Sequence, residues 1–551
     1  MRHSLMWSLM AGVAVLAPQA LPNSALAQGA AALTGVVSSA QEGAMEGVVV
    51  SAHKPGSIVT VSVTTDAKGR YSFPDSRLEP GEYTITIRAV GYDIAAPAIA
   101  KVAAEQTATA DLQLVPTHNL ASQLTNAEWM MSMPGPEDQK ALLLNCTSCH
   151  TLERIARSTH DADEWTHVVT RMMGYGAVSQ PVKPQRMLDA SRQGSPEQYR
   201  KFAEYLATVN LSKTDTWQYQ LKTLPRPKGE ATRAIVTEYK VGRPTTEPHD
   251  VIVAKDGSVW YSDFGEMFIS KFDPKTLKLT EYPVQKYKPT APEGQLSLEY
   301  DVDGNLWFDT MYQGALGMLD PRTGETKFYP LPAKWNDDRV QLNFVGLRHD
   351  VDGKVWTKSV GTQDIFRLDL KTGDWDKFHP TSSLPAGHYS IYQVISDSKN
   401  NLWMAEFVDG HIGKIDAKTG AVTWYPLPTA HGRGRRMEID DQDRILLTEY
   451  RGNAVALFDT RAEKWLAEYK LPTPYSGPYR AQTDKNGDIW VAGMQTDRAI
   501  RLDPKSGKAI EYLMPGDTNM RSLYIDNSTS PVTFWTGSNH DHALVRVEPL
   551  D

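Results

Sequence analysis

Hydrophobic and polar residues alternate along most of this chain in short runs that are separated by Gly, Pro and Asp. The alternation is clear from Leu33 to about Pro116, where the stretch Thr65–Phe73 has the form of a hairpin. A period of two is typical of strands that bury one face. We therefore predict a small β-sandwich over residues 28–117.

The pattern changes to helical spacing over residues 118–212. One helix is predicted over residues 137–145, and a later one begins with Ser195 as its N-cap and Pro196 in its first turn. We therefore expect an all-α domain in this region. The prolines within residues 213–230 predict a linker after it.

The remainder of the chain, residues 231–551, is an internal repeat. Each unit has a turn and then a short apolar phrase, whose last residue is Trp260, Trp307, Trp356, Trp403, Leu446, Trp490 or Trp535. These positions lie 43 to 49 residues apart, and each of the seven units has strand-like phrases typical of a four-stranded propeller blade. The last unit lacks its final phrase, and an extra copy at residues 234–241 precedes the first unit. We therefore predict a seven-bladed β-propeller that this early strand closes.

The N-terminus has the form of a secretory signal peptide. Arg2 is followed by an apolar stretch over residues 5–17 and by Ala25-Leu26-Ala27, which predicts a signal peptide over residues 1–27. No later stretch is long and apolar enough to span a bilayer. The net charge of −8 argues against nucleic acid as a partner. We expect the mature chain in a bacterial periplasm or in the medium.

The two cysteines of the chain lie in the sequence Cys146-Thr147-Ser148-Cys149-His150. This C-x-x-C-H pattern is typical of covalent haem attachment through two thioethers, with the histidine as an iron ligand. A zinc site would need ligands that no other cysteine supplies, and a disulfide between these two cysteines would constrain little. We therefore predict one haem c, attached at Cys146 and Cys149, with His150 as an axial ligand.

Methionine is the usual second axial ligand in electron-transfer haem proteins. The possible ligands in the following segment are Met172, Met173, Met187, His160 and His167. Residues 164–172 resemble a W-x-x-x-V-x-R-M phrase of cytochrome domains in periplasmic dehydrogenases, and this resemblance favours Met172. The region as a whole resembles a class I cytochrome c domain. The resemblance implies electron transfer to a redox partner such as a cytochrome or an oxidase.

Three phrases in the first module, at residues 65–73, 78–85 and 90–92, resemble the carboxypeptidase regulatory-like domain. The module contains no cluster of titratable residues, so a spacer or docking role is expected. The predicted fold class is multidomain and mainly β. It consists of a prealbumin-like β-sandwich, an all-α class I cytochrome c-like domain and a seven-bladed β-propeller.

The D-x-x-G-x-x-W repeats and the phrase Ile412–Pro428 resemble the streptogramin (virginiamycin B) lyase family of seven-bladed propellers. The resemblance implies a lyase that opens an ester-linked cyclic peptide by elimination, using a His and a Glu near the channel and a magnesium ion. This chain departs from that pattern, because His249 faces Asp263 and not a Glu across the first hairpin. Fold transfers more safely than chemistry between such relatives.

Charged residues recur at one rim of the predicted propeller, and Arg435 and Arg521 are among them. The predicted catalytic or binding set is His249, Asp263, Glu406, Arg436, Glu449 and Arg480. Converging arginines and carboxylates indicate a small polar ligand of anionic character. Three functions stay open: a haem electron-transfer protein or dehydrogenase, a lyase, and a non-enzymatic binding module. The covalent haem favours the first.

Overall fold

The computed structural model describes residues 30–211 and 216–550. The chain is mainly β, with about 15% of its residues in helices. The predicted signal peptide, residues 1–27, lies outside the described residues. Within the described ranges, no helix is both long and apolar enough to cross a membrane.

The first module is a β-sandwich, as predicted. Its strands are β1 (Ala31–Ser39), β2 (Gly43–Ala44), β3 (Val49–His53), β4 (Val59–Thr64), β5 (Arg70–Pro74), β6 (Gly81–Arg88), β7 (Tyr92–Ile94), β8 (Ala98–Val102), β9 (Ala108–Thr109) and β10 (Leu112–Pro116). One sheet is built around β1, and the other contains β4, β3, β6 and β8 in that order. In β6 the side chains of Tyr83 and Ile85 are buried and that of Thr84 is exposed, which explains the period of two.

Residues 118–212 do not form the predicted class I cytochrome c domain, and this part of the predicted fold class is wrong. They form a small helical region that consists of α1 (Asn126–Ser132), α2 (Glu137–Leu143), α3 (Leu152–Ala156), α4 (Ala162–Met173) and α5 (Pro196–Val209). Trp129 and Leu206 of this region belong to one apolar cluster with Tyr479 and Met494 of the propeller. Helical spacing predicted local helices correctly, but it does not specify which core they join.

The propeller has seven four-stranded blades. Its strands are β11 (Ala234–Lys240), β12 (Pro248–Val253), β13 (Val259–Asp263), β14 (Phe268–Asp273), β15 (Lys278–Pro283), β16 (Leu298–Tyr300), β17 (Leu306–Asp309), β18 (Ala315–Leu319), β19 (Thr326–Pro330), β20 (Leu342–Leu347), β21 (Lys354–Ser359), β22 (Ile365–Asp369), β23 (Trp375–Phe378), β24 (Ile391–Ser396), β25 (Leu402–Glu406), β26 (His411–Ile415), β27 (Val422–Pro426), β28 (Gly434–Ile439), β29 (Arg444–Glu449), β30 (Ala454–Asp459), β31 (Lys464–Lys470), β32 (Pro478–Thr483), β33 (Ile489–Gly493), β34 (Arg498–Leu502), β35 (Ala509–Leu513), β36 (Tyr524–Asp526), β37 (Thr533–Ser538) and β38 (Ala543–Pro549). A single helical turn, α6 (His349–Asp352), lies in the hairpin of the third blade. Four consecutive strands from β12 onward form each of the first six blades, and β36, β37, β38 and β11 form the seventh.

Strand β11 closes the ring, as predicted, and it also joins the propeller to the sandwich. It pairs antiparallel with β38 on one side, where Thr237 lies opposite Arg546, and with β4 on the other, where Thr237 lies opposite Val61. The seventh blade and one sandwich sheet are therefore a single eight-stranded sheet, in the order β36-β37-β38-β11-β4-β3-β6-β8. The edge that β11 would otherwise expose is covered.

The repeated Trp is buried in each blade that has one and ties the blade together. Trp307 donates its Nε1–H to Oδ2 of Asp301 at 2.8 Å, and its ring stacks on Tyr329 with 5.4 Å between ring centroids. The equivalent Trp–Asp bond recurs in the fourth and sixth blades. The repeat in the sequence therefore encodes the scaffold.

The described part of the predicted linker, residues 216–230, packs between the modules. The backbone N–H of Leu224 donates to Oε1 of Glu128 in the helical region at 2.7 Å, and the carbonyl of Pro225 accepts from Arg498 of the propeller at 2.7 Å. This segment therefore fastens the helical region to the propeller.

Candidate functional site

Five blades carry a β-bulge in the innermost strand, at the end where the strand begins. In the first blade the pairing of β12 with β13 shifts between Pro248 and Val251, and the same shift recurs in β20, β24, β28 and β32. A bulge re-aims side chains at the point where pairing is interrupted. The residues within these five bulges are His249, Asp250, Phe344, Tyr392, Arg435, Arg436, Tyr479 and Arg480.

His249 and Asp250 are adjacent in sequence, and the bulge brings their side chains together. Nδ1 of His249 lies 2.9 Å from Oδ1 of Asp250. His249 is fully buried, and no group in the described part of the chain is hydrogen-bonded to its Nε2. Burial lowers the pKa of His249 to about 4 although Asp250 opposes the shift, so the imidazole is neutral at pH 7. A neutral imidazole that donates Nδ1–H to a carboxylate presents Nε2 as a proton acceptor.

Arg436 holds Asp250 from the fifth blade. Its Nη1 and Nη2 donate to the two carboxylate oxygens at 2.8 and 2.7 Å, and both side chains are fully buried. Burial acts to raise the pKa of Asp250, but Arg436 and His249 hold it well below its usual range. The guanidinium also lies over the ring of Phe344, at 4.7 Å. Arg436 therefore keeps Asp250 ionised and fixed beside His249.

Arg480 also has internal partners. Its Nη2 donates to Oε2 of Glu438 at 2.8 Å, and its Nη1 donates to the hydroxyl of Ser522 at 3.2 Å. Burial raises the pKa of the nearby Glu299 to about 7, while Arg480 lowers it. The charge of Arg480 is therefore balanced within the protein.

Arg435 has a different environment, because its guanidinium is enclosed by aromatic rings. The ring centroids lie 3.9, 4.2, 4.8 and 5.2 Å from its Cζ for Tyr479, Tyr450, Tyr392 and Phe407. The hydroxyls of Tyr392 and Tyr479 are hydrogen-bonded to each other. Burial acts to raise the pKa of Tyr479, but the neighbouring guanidiniums, Arg435 foremost, hold it below its ordinary value.

The three predicted carboxylates at the rim have other surroundings. Oδ1 of Asp263 accepts three backbone N–H groups at 2.9 to 3.1 Å, and the carboxylate of Glu406 accepts four at 2.7 to 3.0 Å. Glu449 lies beside Glu468; burial raises its pKa to about 7, and Glu468 contributes to the increase. Asp263 and Glu406 therefore close loops at the rim.

Magnesium, which the family resemblance implies, does not fit this end of the channel. A Mg²⁺ site needs several oxygen ligands that converge, whereas backbone amides bind both carboxylate oxygens of Glu406 and Oδ1 of Asp263, so Oδ2 of Asp263 is the one oxygen of this pair without a partner. Over residues 30–211 and 216–550, the one group of three convergent metal-ligating side chains is Asp301, Asp303 and His349. Asp301 and Asp303 lie in the hairpin turn after β16, at the opposite end of the blade.

The loop that contains the two cysteines packs on the rim of the sixth and seventh blades. The carbonyl oxygen of Thr147 accepts from Nδ2 of Asn519 at 2.7 Å, and its hydroxyl accepts from Nε2 of Gln495 at 2.9 Å. The carbonyl of Ser148 accepts from Arg521. We call residues 146–149 the mouth loop.

The structure places the predicted haem residues as follows. Cys146 and Cys149 are free thiols, and burial raises the pKa of Cys146 to about 12. Nδ1 of His150 lies 3.0 Å from the carbonyl oxygen of Thr151. Met172, at the end of α4, is 42% exposed. Haem attachment at these residues stays a prediction.

Comparison with known proteins identifies two of the modules. The model of the virginiamycin B lyase family matches residues 229–441 and 381–550, and that of the carboxypeptidase regulatory-like domain matches residues 32–115. The lyase match spans more than half of the chain, so the chain belongs to the virginiamycin B lyase family. No curated protein matches the chain.

Solved structures of lyases resemble the propeller. Virginiamycin B lyase from Staphylococcus aureus is 22% identical to this chain with a TM-score of 0.49, over 57% of this chain and 100% of that one. A streptogramin B lyase is 21% identical with a TM-score of 0.49, over 58% of this chain and 100% of that one. A catalytically inactive histidine-to-alanine variant of the S. aureus enzyme with quinupristin is also 21% identical with a TM-score of 0.49, over 57% and 100%.

These findings correct the predicted function. The prediction of a haem electron-transfer protein or dehydrogenase is wrong, because the chain is a member of a lyase family and its helical region is not a cytochrome domain. The alternative prediction of a lyase fits better. Sequence reasoning missed Asp250 and Tyr479, although each is adjacent to a residue that it singled out. A bulge makes both neighbours point into the channel, and strict alternation would have placed them on opposite faces.

Proposed function

We propose that this chain is a lyase that opens an ester by β-elimination at the channel mouth, with His249 as the base. The observation that carries the proposal is the buried Nε2 of His249, which has no partner while Asp250 and Arg436 hold the other side of the ring. Membership of the virginiamycin B lyase family supports the same reaction class.

The chemistry requires one proton acceptor and a leaving carboxylate. Nε2 of His249 takes a proton from the carbon next to a carbonyl group, and the electrons of that C–H bond form a carbon–carbon double bond. The ester C–O bond breaks, and its electron pair leaves with the carboxylate. Asp250 stabilises the imidazolium that forms, and Arg436 keeps Asp250 ionised and in place.

The substrate would enter beside Arg435 and Tyr392, because these side chains of the fifth and fourth blades are half-buried whereas His249 is fully buried. The mouth loop contacts Gln495 and Asn519 of the sixth and seventh blades. The signal-peptide pattern of residues 1–27 supports export to the periplasm or the medium. The β-sandwich would act as a spacer or docking module.

The test is an elimination assay on the mature chain, with quinupristin and a panel of linear and cyclic depsipeptide esters. Ring opening by elimination leaves the mass unchanged and adds ultraviolet absorbance from the new double bond, whereas hydrolysis adds one water. Replacing His249 with Asn should lower the rate by on the order of 10²–10⁴-fold. His379→Gln, at an exposed histidine paired with Asp364, is the control and should keep full activity. Absence of elimination on the whole panel, or full activity of His249→Asn, would overturn the proposal.

A further inference from the structure

Arg435 carries a charge that the protein does not balance. Arg436 and Arg480 are paired with Asp250 and Glu438. In the part of the chain that the structure describes, no carboxylate lies within ion-pair distance of the Arg435 guanidinium, and its buried Nε–H, like those of Arg436 and Arg480, has no acceptor. The difference is notable because Arg435 and Arg436 lie in the same bulge, in the fifth blade, and Arg480 lies in the bulge of the sixth.

The aromatic rings around Arg435 offset the cost of burying its charge but supply no negative charge. Cation–π contacts contribute about 0.5–2 kcal/mol each, so four of them are comparable with the several kcal/mol that burying a charge costs, but the rings offer no oxygen atom that accepts from its N–H groups. The guanidinium also has polar neighbours: Nη2 of Arg435 lies 3.5 Å from the hydroxyl of Tyr392, which is hydrogen-bonded to that of Tyr479. A guanidinium edge beside two phenol hydroxyls is a set of donors for an oxyanion.

We propose that Arg435, with the hydroxyls of Tyr392 and Tyr479, binds a carboxylate group of the substrate. A single guanidinium matches one negative charge, which favours a carboxylate over a phosphate dianion. The inference rests on the proposed function, because the carboxylate belongs to the molecule that His249 deprotonates. The rings of His249 and Tyr479 are 6.1 Å apart, so the carboxylate and the acidic C–H bond lie close together in the substrate. The substrate class is therefore an anionic ester.

Binding of a matched acid and amide tests the inference without turnover. Benzoate and benzamide have nearly the same shape and differ in charge, and their affinities for the full mature chain can be measured by calorimetry. We expect benzoate to bind at least tenfold more tightly than benzamide. Arg435→Gln should abolish this preference, and Arg435→Lys should retain part of it. Arg444→Gln, at the far end of β29, is the control and should leave the preference unchanged.

The results separate this inference from the lyase proposal. Equal binding of benzoate and benzamide, or a full preference in Arg435→Gln, overturns the carboxylate site. If Arg435→Gln does not fold, the comparison in the unmodified chain and in Arg435→Lys decides. Preference for benzoate without elimination of any ester overturns the lyase proposal alone. Equally fast elimination of neutral and anionic esters, with no benzoate preference, overturns the carboxylate site alone.

Discussion

Arg436 and Asp250 join the fifth blade to the first across the propeller channel. Nη1 of Arg436 donates to Oδ1 of Asp250 and Nη2 donates to Oδ2, and both side chains are fully buried. The pair is the support of the candidate base, because Asp250 holds Nδ1 of His249. A buried ion pair of this kind is costly to break from one side, since the remaining charge cannot reach water.

Arg436→Ala should therefore lower the free energy of unfolding by about 3–5 kcal/mol. Arg480→Ala should cost less, because its partner Glu438 is half-buried and can be solvated. The measurement is urea denaturation of both variants. Arg444→Ala, which breaks a partly exposed pair with Asp440, is the control and should cost about 1 kcal/mol or less. Equal losses in Arg436→Ala and Arg444→Ala would contradict the assigned role of the buried pair.

Elimination should depend on pH through His249. The base is the neutral imidazole, and burial lowers its pKa to about 4, so activity should be constant near pH 7 and fall as the pH passes below about 4. The unfolded imidazole has a pKa of about 6.5, so protonation also favours unfolding as the pH falls from about 6.5 to about 4. Activity and circular dichroism measured on the same samples separate the two effects. An acid limb near pH 6.5 in folded protein would show that His249 is not buried in the free enzyme.

The role of β11 in closing the propeller can be tested by truncating the chain from its N-terminus. A chain that begins at residue 231 keeps β11 but loses β4 and the helical region, so it should fold and associate through the exposed edge of β11 and the apolar surface that Trp129 and Leu206 cover. A chain that begins at residue 246 loses β11 as well, so its seventh blade has three strands and its melting temperature should be lower. Light scattering against concentration and thermal melting measure these two results. Identical behaviour of the two chains would contradict the closing role of β11.

The alternation of hydrophobic and polar residues and the internal repeat predicted most of the fold, because both patterns arise within single strands and single blades. They did not predict that β4 pairs with β11, nor that Trp129 of α1 joins the core of the propeller. Both contacts connect segments that are remote in sequence, and neither leaves a local pattern. Of the site, His249 was found from its position before Trp260 and Arg436 from its position before Leu446, which replaces the Trp in the fifth unit, whereas Asp250 depended on a bulge that a strand sequence does not reveal.

Covalent haem at Cys146 and Cys149 stays a prediction that is separate from the corrected function. If it holds, periplasmic expression with haem-maturation machinery should add the mass of one haem, which acid-acetone does not extract. Cys146→Ala or Cys149→Ala should weaken attachment, and His150→Ala and Met172→Ala should change the axial ligands and hence the visible spectrum. An unchanged protein mass and an extractable pigment would contradict it.

The last prediction concerns the mouth loop, which Asn519 and Gln495 bind through Thr147. In protein expressed without haem-maturation machinery, the thiols of Cys146 and Cys149 should react slowly with a disulfide reagent, because burial raises the pKa of both and both residues are only partly exposed. Replacing Asn519 and Gln495 with Ala removes both side-chain donors to Thr147 and leaves only that from Arg521 to Ser148, so labelling should be at least tenfold faster. The same double variant should then raise kcat/KM for elimination if the loop covers the entrance to His249. Lys485→Ala, whose backbone and side-chain contacts lie in the hairpin at the other end of β32, is the control. Labelling that is fast already in the unmodified chain would contradict a closed mouth.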